Sequence, residues 1–273
     1  MKPPTERYPL GHSPAELERQ VHQARHLRDH TAILLKHARL LPGQQVLDIG
    51  CGLGDVTLIA AEFVGPRGFV VGVDRSEVAV RAARERALDA GVSNVEFVVG
   101  DVDVLNGHRA YDCIVGRLIT MYLPNPVVTL SRLRMCIRPG GSLVLQEIDI
   151  DAVSTTPRCE LVEQAKTWAA AAFRCAGANP NTGTSLHQLI RAADFETRGA
   201  FASQPTFTPA SAVGGLHWFA ETIRTLLPVL ERHSICTAAE VDIETLGARM
   251  QAEMIERDAV VFGPRLVGVW ARA

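Results

Sequence analysis

From Val46 to Ile148, five short β-favouring apolar runs succeed one another, at 46–49, 69–73, 95–99, 111–115 and 142–148. Helical stretches at 56–64, 76–90 and 126–136 are set among them. Strands separated by helical crossovers pair in parallel, and the crossovers cover both faces of the sheet. The expected fold is therefore α/β, a doubly wound parallel sheet with its ligand across the carboxyl ends of the strands. Those ends carry Gly50, Gly52 and Gly54 after the first run, Asp74 after the second, Asp101 after the third and Gly116 after the fourth.

The first of these ends says most about the ligand. In VLDIGCGLGD, residues 46–55, a buried strand enters a glycine loop and then a helix. Alternate glycines let a ligand approach the backbone, and the helix offers unpaired amides at its start. A dinucleotide fingerprint needs G-x-G-x-x-G, whereas the third glycine here arrives one residue early, and no Lys-Ser/Thr pair follows to make a phosphate loop. Asp48 inside the motif would repel a pyrophosphate and suits an ammonium group or hydroxyls. Asp74, 20 residues beyond Gly54 at a strand end, is placed to accept from ribose hydroxyls, a role preferred over that of a helix cap or turn acid. Asp101 with Val102 is read as holding an adenine, with a plain turn as the alternative.

Composition limits the partners. At 273 residues, 47% hydrophobic, 21% charged and net charge −2, the chain can bury a sizeable core. It lacks the basic balance that phosphate neutralisation demands, so nucleic acid is not expected as a partner. The N-terminus has no signal-peptide pattern and no apolar run reaches the roughly 18 residues of a membrane helix, so a cytoplasmic protein with no membrane partner is expected. The six cysteines are scattered without C-x-x-C, which suggests reduced thiols and neither zinc nor a disulfide framework.

Ser13-Pro14-Ala15-Glu16 is a helix start with the elements of a capping box, predicting a helix to about residue 30 and a second over 32–40. His22, His26 and His30 recur at i, i+4 spacing. With no carboxylate or cysteine pattern to complete a coordination sphere, they read as a solvated polar face, and no metal is expected.

Taken together, VLDIGCGLGD, VVGVDRS (70–76), FVVGDV (97–102), YDCIVGRLITMYLPNP (111–126) and RPGGSLVLQE (138–147) resemble the successive motifs of the class I S-adenosylmethionine-dependent methyltransferases, in particular bacterial small-molecule enzymes of the natural-product type. The resemblance implies a Rossmann-like seven-stranded sheet whose last strand is antiparallel. It implies that Asp48 and the backbone of 50–54 hold the methionine portion of S-adenosyl-L-methionine, Asp74 the ribose, Asp101 and Val102 the adenine, and the Gly116-Arg117 turn the amino-acid end. Cys51 and Arg75 would lie beside them. Residues 8–24 are similar to the family's helical lid, in which Tyr8 would close over the cofactor. The stretch 185–193 is similar to the helix before the sixth strand, expected at 196–203, and 261–273 fits the seventh.

The organisation this predicts is an N-terminal helical lid (1–41), a cofactor-binding core (42–204 and 261–273) and an inserted helical cap over the acceptor pocket (205–260). All three would form one compact unit. Methyl transfer from a sulfonium needs alignment, exclusion of water and, for some acceptors, a base. Candidate bases are Glu147 and Asp149 at the end of the fifth strand and His217 in the insertion. His12, Met121, Tyr122 and Trp218 are candidates for the acceptor pocket, although a lone histidine or a Trp-Phe pair is more often core. The activity expected is O- or N-methylation of a small organic acceptor by a monomer or homodimer. The rival readings are a non-methylating use of the same cofactor, such as intramolecular cyclisation, and a non-catalytic cofactor-binding protein.

Overall fold

The computed structural model describes residues 10, 11, 13–105 and 110–273; Tyr8 and His12 lie outside the described residues. The strands are β1 (Gln45–Ile49), β2 (Phe69–Asp74), β3 (Val95–Val99), β4 (Tyr111–Arg117), β5 (Ile137–Asp149), β6 (Ser154–Thr156), β7 (Glu196–Ser203), β8 (Thr206–Phe207), β9 (Val260–Phe262) and β10 (Arg265–Arg272). The helices are α1 (Pro14–His37), α2 (Asp55–Val64), α3 (Glu77–Asp89), α4 (Pro126–Arg134), α5 (Glu160–Cys175), α6 (Thr182–Ala192), α7 (Ala212–Arg232), α8 (Ala238–Val241) and α9 (Ile243–Glu256).

Two compact units divide the chain. The first comprises the described residues up to His26, with Ile148–Asn181 and Ser203–Arg265; the second comprises Leu27–Glu147, Thr182–Ala202 and Leu266–Ala273. The reason lies in α5. Its buried residues Val162, Ala165, Trp168, Ala169 and Ala172 need cover, and α5 packs on α7 and α9 of the insertion, so 148–181 folds with the inserted helices.

The second unit is built on a mostly parallel seven-stranded sheet of order β3-β2-β1-β4-β5-β10-β7, with one antiparallel strand. Alternation along β1 sends Leu47 and Ile49 into a core layer with Ile114, Leu133, Leu145 and Leu186. Val46 joins the opposite layer with Ile59, Val64 and Leu35. Burial on both faces explains why these strands read as continuous apolar runs. In register, Ile49 pairs with Val73 and Gly116, Asp74 with Val99, and Arg117 with Gln146, so the carboxyl ends of five strands lie along one edge.

In the first unit, β9 lies between β6 and β8 in a small antiparallel sheet beside α5, α7 and α9.

Local predictions fail where a break was misplaced. Residues 14–37 form one helix and not two, because nothing between His30 and Ala32 breaks it; Thr31 stays helical with its hydroxyl 3.1 Å from the Leu27 carbonyl. The last strand of the large sheet begins at Arg265: Gly263 and Pro264 interrupt the apolar run, and residues 260–262 pair in the small sheet instead. Residues 138–141 form a wide bulge inside β5. The ladder jumps from Tyr111↔Ile137 to Cys113↔Ser142, with Gly140 at φ +79°.

Candidate functional site

At the carboxyl end of β1 the chain turns through Gly50 (φ +65°), Gly52 and Gly54 (φ +81°) before α2 begins. Two close approaches make glycine obligatory there, beyond the left-handed φ. A Cβ on Gly50 would stand 2.6 Å from Ile119 Cδ1, and one on Gly54 would meet the Phe97 ring at 2.8 Å. Gly54 supplies no side-chain cap to α2, so the loop ends on the helix's first-turn amides.

Three carboxylates surround this loop. Asp48 falls on the α2 face of β1 and is almost wholly buried. Its Oδ2 accepts from Thr57 Oγ1 at 2.6 Å, while Oδ1 is buried with no hydrogen-bond partner. Burial pushes its carboxyl up to about 7; the Thr57 bond and the Arg117 guanidinium pull it down, and the charges of Asp74 and Asp55 push it further up. Asp74 accepts from Gly52 N–H at 3.0 Å through Oδ2 and from Ser76 N–H at 2.8 Å through Oδ1. Each of its oxygens keeps a second lone pair for another donor. Asp55, the first residue of α2, takes Arg86 at 2.7 Å and lies 3.9 Å from Arg117.

Arg117 is held at the end of β4. Its Nη1 donates to Thr31 Oγ1 at 3.0 Å, and that hydroxyl donates to Gln146 Oε1 at 2.7 Å. Burial lowers the guanidinium's pKa, and Asp55 and Asp48 oppose that effect. Cys51 is buried in the loop, with its thiol pushed up first by burial and then by Asp48 and Asp74, so it is inert. Asp101 caps a short 3-10 turn, accepting from Asp103 N–H at 2.9 Å, and Val102 behind it is buried in the core beside Val73. Arg75 is exposed next to Asp74. Met121 is buried and Tyr122 half-buried in the 3-10 turn after β4.

Two of the expected bases have partners within the chain. Asp149 is buried and accepts from Arg265 Nη2 at 2.8 Å and Nε at 3.1 Å. Glu147 is fully buried. Its Oε1 accepts from Ile119 N–H at 3.0 Å, Thr120 N–H at 2.7 Å and Thr120 Oγ1 at 2.6 Å. Burial pushes this carboxyl up to about 7 against the donors of Thr120, Ile119 and Met121. Its Oε2, like Oδ1 of Asp48, is buried with no hydrogen-bond partner. His217 is exposed on α7.

Nor do His26 and His30 belong to a solvated face. The His26 ring lies 5.9 Å from Phe207 and 6.1 Å from Trp218, and burial lowers the pKa of His30. Trp218 is buried, and its Nε1 has no hydrogen-bond partner. Among the described residues, no group of three or more His, Cys, Asp or Glu could hold a metal ion.

The sequence reading missed Asp55, Thr57, Thr31 and Gln146. Asp55 and Thr57 carried a signal, being polar on the first turn of a helix that opens on a ligand loop. Thr31 and Gln146 carried none, as they meet from 115 positions apart in the chain.

A bare buried carboxylate oxygen, a glycine cradle and a strand-end acid with spare lone pairs suit a ligand with an ammonium group and vicinal hydroxyls. The family model described as a methyltransferase domain matches residues 40–194. The chain belongs to that family. It is 34% identical over 102 residues to the aklanonic acid methyltransferase DauC of a Streptomyces species, covering 37% of this chain and 46% of that protein. It is 35% identical over 105 residues to the nocamycin O-methyltransferase of Saccharothrix syringae, covering 38% of each. The chain thus spans less than half the length of these curated relatives. Among solved structures, a SAM-dependent methyltransferase from Aquifex aeolicus shares the fold with TM-score 0.55 at 19% identity, over 69% of this chain and 92% of that one. No helix among the described residues is long and apolar enough to cross a membrane.

Proposed function

We propose that this chain transfers a methyl group from S-adenosyl-L-methionine to oxygen or nitrogen of a small organic acceptor. The observation that carries the reading is the buried, unpartnered Oδ1 of Asp48 beside the 50–54 loop, in a chain of the methyltransferase-domain family. The cofactor is S-adenosyl-L-methionine, which when bound supplies a methyl group on a leaving group already activated as a sulfonium. Asp48 and the loop amides receive its amino-acid portion together with Arg117, whose fixed guanidinium suits a carboxylate. Asp74 accepts from the ribose hydroxyls through its free lone pairs, and Asp101 with Val102 takes the adenine.

The chain's contribution to the reaction is alignment and exclusion of water. Met121 and Tyr122, in the 3-10 turn after β4, are proposed to line the acceptor site. Glu147, Asp149 and His217 are the proposed candidates for taking a proton from the acceptor. The protein would act in the cytoplasm as a monomer or homodimer, without nucleic acid. Two curated relatives named for the methylation of small natural products support the acceptor class.

The test has two parts. Titration calorimetry with S-adenosylhomocysteine should give saturable binding, and a mass-spectrometric screen of acceptor pools with methyl-labelled cofactor should give a labelled product. Incubation with cofactor alone separates the rival chemistry: release of methylthioadenosine would replace methyl transfer by cyclisation of the aminobutyryl arm.

A further inference from the structure

Glu147 lies at the end of β5 in the cofactor-binding unit, and three donors from one short stretch of chain converge on a single oxygen of it. That stretch does not hold its shape alone. It opens on Leu118 at φ +55°, a left-handed conformation that costs a branched residue about 1–2 kcal/mol. It then tightens into the 3-10 turn of residues 120–122. Consecutive N–H groups wrapped around one anionic oxygen form a nest, and such charge-assisted bonds are among the stronger ones a side chain makes.

The turn in its bound shape places the Ile119 side chain where two glycines leave room for it. A Cβ on Gly50 would collide with Ile119 Cδ1, and one on Gly116 would stand 3.1 Å from Ile119 Cγ2. Ile119 therefore fills the space between the first residue of the glycine loop and the end of β4, and packs on the core layer that contains Ile49 and Leu145.

We infer that Glu147 is a positioning residue for the cofactor: through residues 119–120 it seats Ile119 against Gly50, and so fixes the glycine loop in its ligand-receiving shape. The inference rests on the reading of residues 50–54 as the cofactor's grip. Either protonation state of Glu147 performs this task, because Oε1 accepts as a carboxylate oxygen or as the carbonyl oxygen of the neutral acid.

Titration calorimetry with S-adenosylhomocysteine tests it without an acceptor. Glu147→Leu, which abolishes the nest, and Ile119→Ala, which leaves the nest but empties the seat, should each weaken binding on the order of tenfold. The double variant should be little worse than either, since both act through one contact. Glu147→Gln keeps the accepting oxygen and should recover most of the affinity lost in Glu147→Leu. Wild-type affinity in Ile119→Ala, or a loss in Glu147→Gln equal to that in Ile119→Ala, would overturn the inference, and both measurements remain available if Glu147→Leu fails to fold. A wild-type chain that does not bind the probe would instead sink the cofactor reading.

Discussion

Replacing Asp74 by alanine separates its two kinds of work. Within the protein, the carboxylate accepts from Gly52 N–H at 3.0 Å and Ser76 N–H at 2.8 Å. The residue is half-exposed and the freed amides can find water, so the low end of the range for charged hydrogen bonds applies, about 1.5 kcal/mol each and roughly 3 kcal/mol together. For a chain of this size that loss lowers Tm by roughly 5 °C. The two ribose hydroxyls proposed to donate to the same oxygens would forfeit about another 3 kcal/mol, a loss of affinity on the order of a hundredfold. Ser76→Ala is the control. It removes the side-chain cap on α3, which accepts from Ala79 N–H at 3.2 Å, and costs about 1 kcal/mol of stability without touching the ligand. Chemical denaturation followed by circular dichroism and calorimetry with S-adenosylhomocysteine measure the two effects separately. Should Asp74→Ala lose stability as expected yet bind the probe within threefold of wild type, the ribose assignment is wrong and Asp74 only braces the loop.

Asp48 makes stability depend on pH with a definite sign. Its carboxyl is raised to about 7 in the folded state and lies near 4 unfolded, so the fold takes up a proton. Its contribution is complete below about pH 4 and fades as pH rises through about 7. The urea midpoint should therefore fall between pH 5 and 8.5, and Asp48→Asn should flatten the slope; equal slopes in both proteins would contradict the burial argument. Arg265→Ala leaves Asp149 buried without its guanidinium, and because Arg265 is itself 45% exposed, the loss should be about 2 kcal/mol rather than the full cost of a broken buried pair. An unchanged denaturation midpoint would mean that the pair contributes nothing to the fold. Trp218→Phe removes a buried N–H that has no partner but leaves a cavity where the rest of the indole was, so stability should fall by about 1–2 kcal/mol. A thermal unfolding midpoint at or above that of wild type would mean that the unpartnered N–H costs more than the cavity.

The sheet was legible because its signals are local. Apolar runs buried on both faces, the spacing of Gly50, Gly52 and Gly54, and acids at strand ends are properties of a few neighbouring residues. They determined the parallel core and the family. Breaks were less legible, because a bulge at Gly140 and a change of sheet at Gly263 are written in the same turn residues as an ordinary loop.

What the sequence could not determine was the employment of its polar side chains. Asp149 and Glu147 stand two residues apart at one strand end and looked equivalent. Tertiary structure gave one an arginine 116 residues away and the other a turn 27 residues back. His26 looked solvated until Phe207 and Trp218 were folded against it. A glycine's conformation is decided by its own missing side chain, but a carboxylate's availability is decided by whichever donors the fold brings within about 3 Å, and those come from anywhere in the chain.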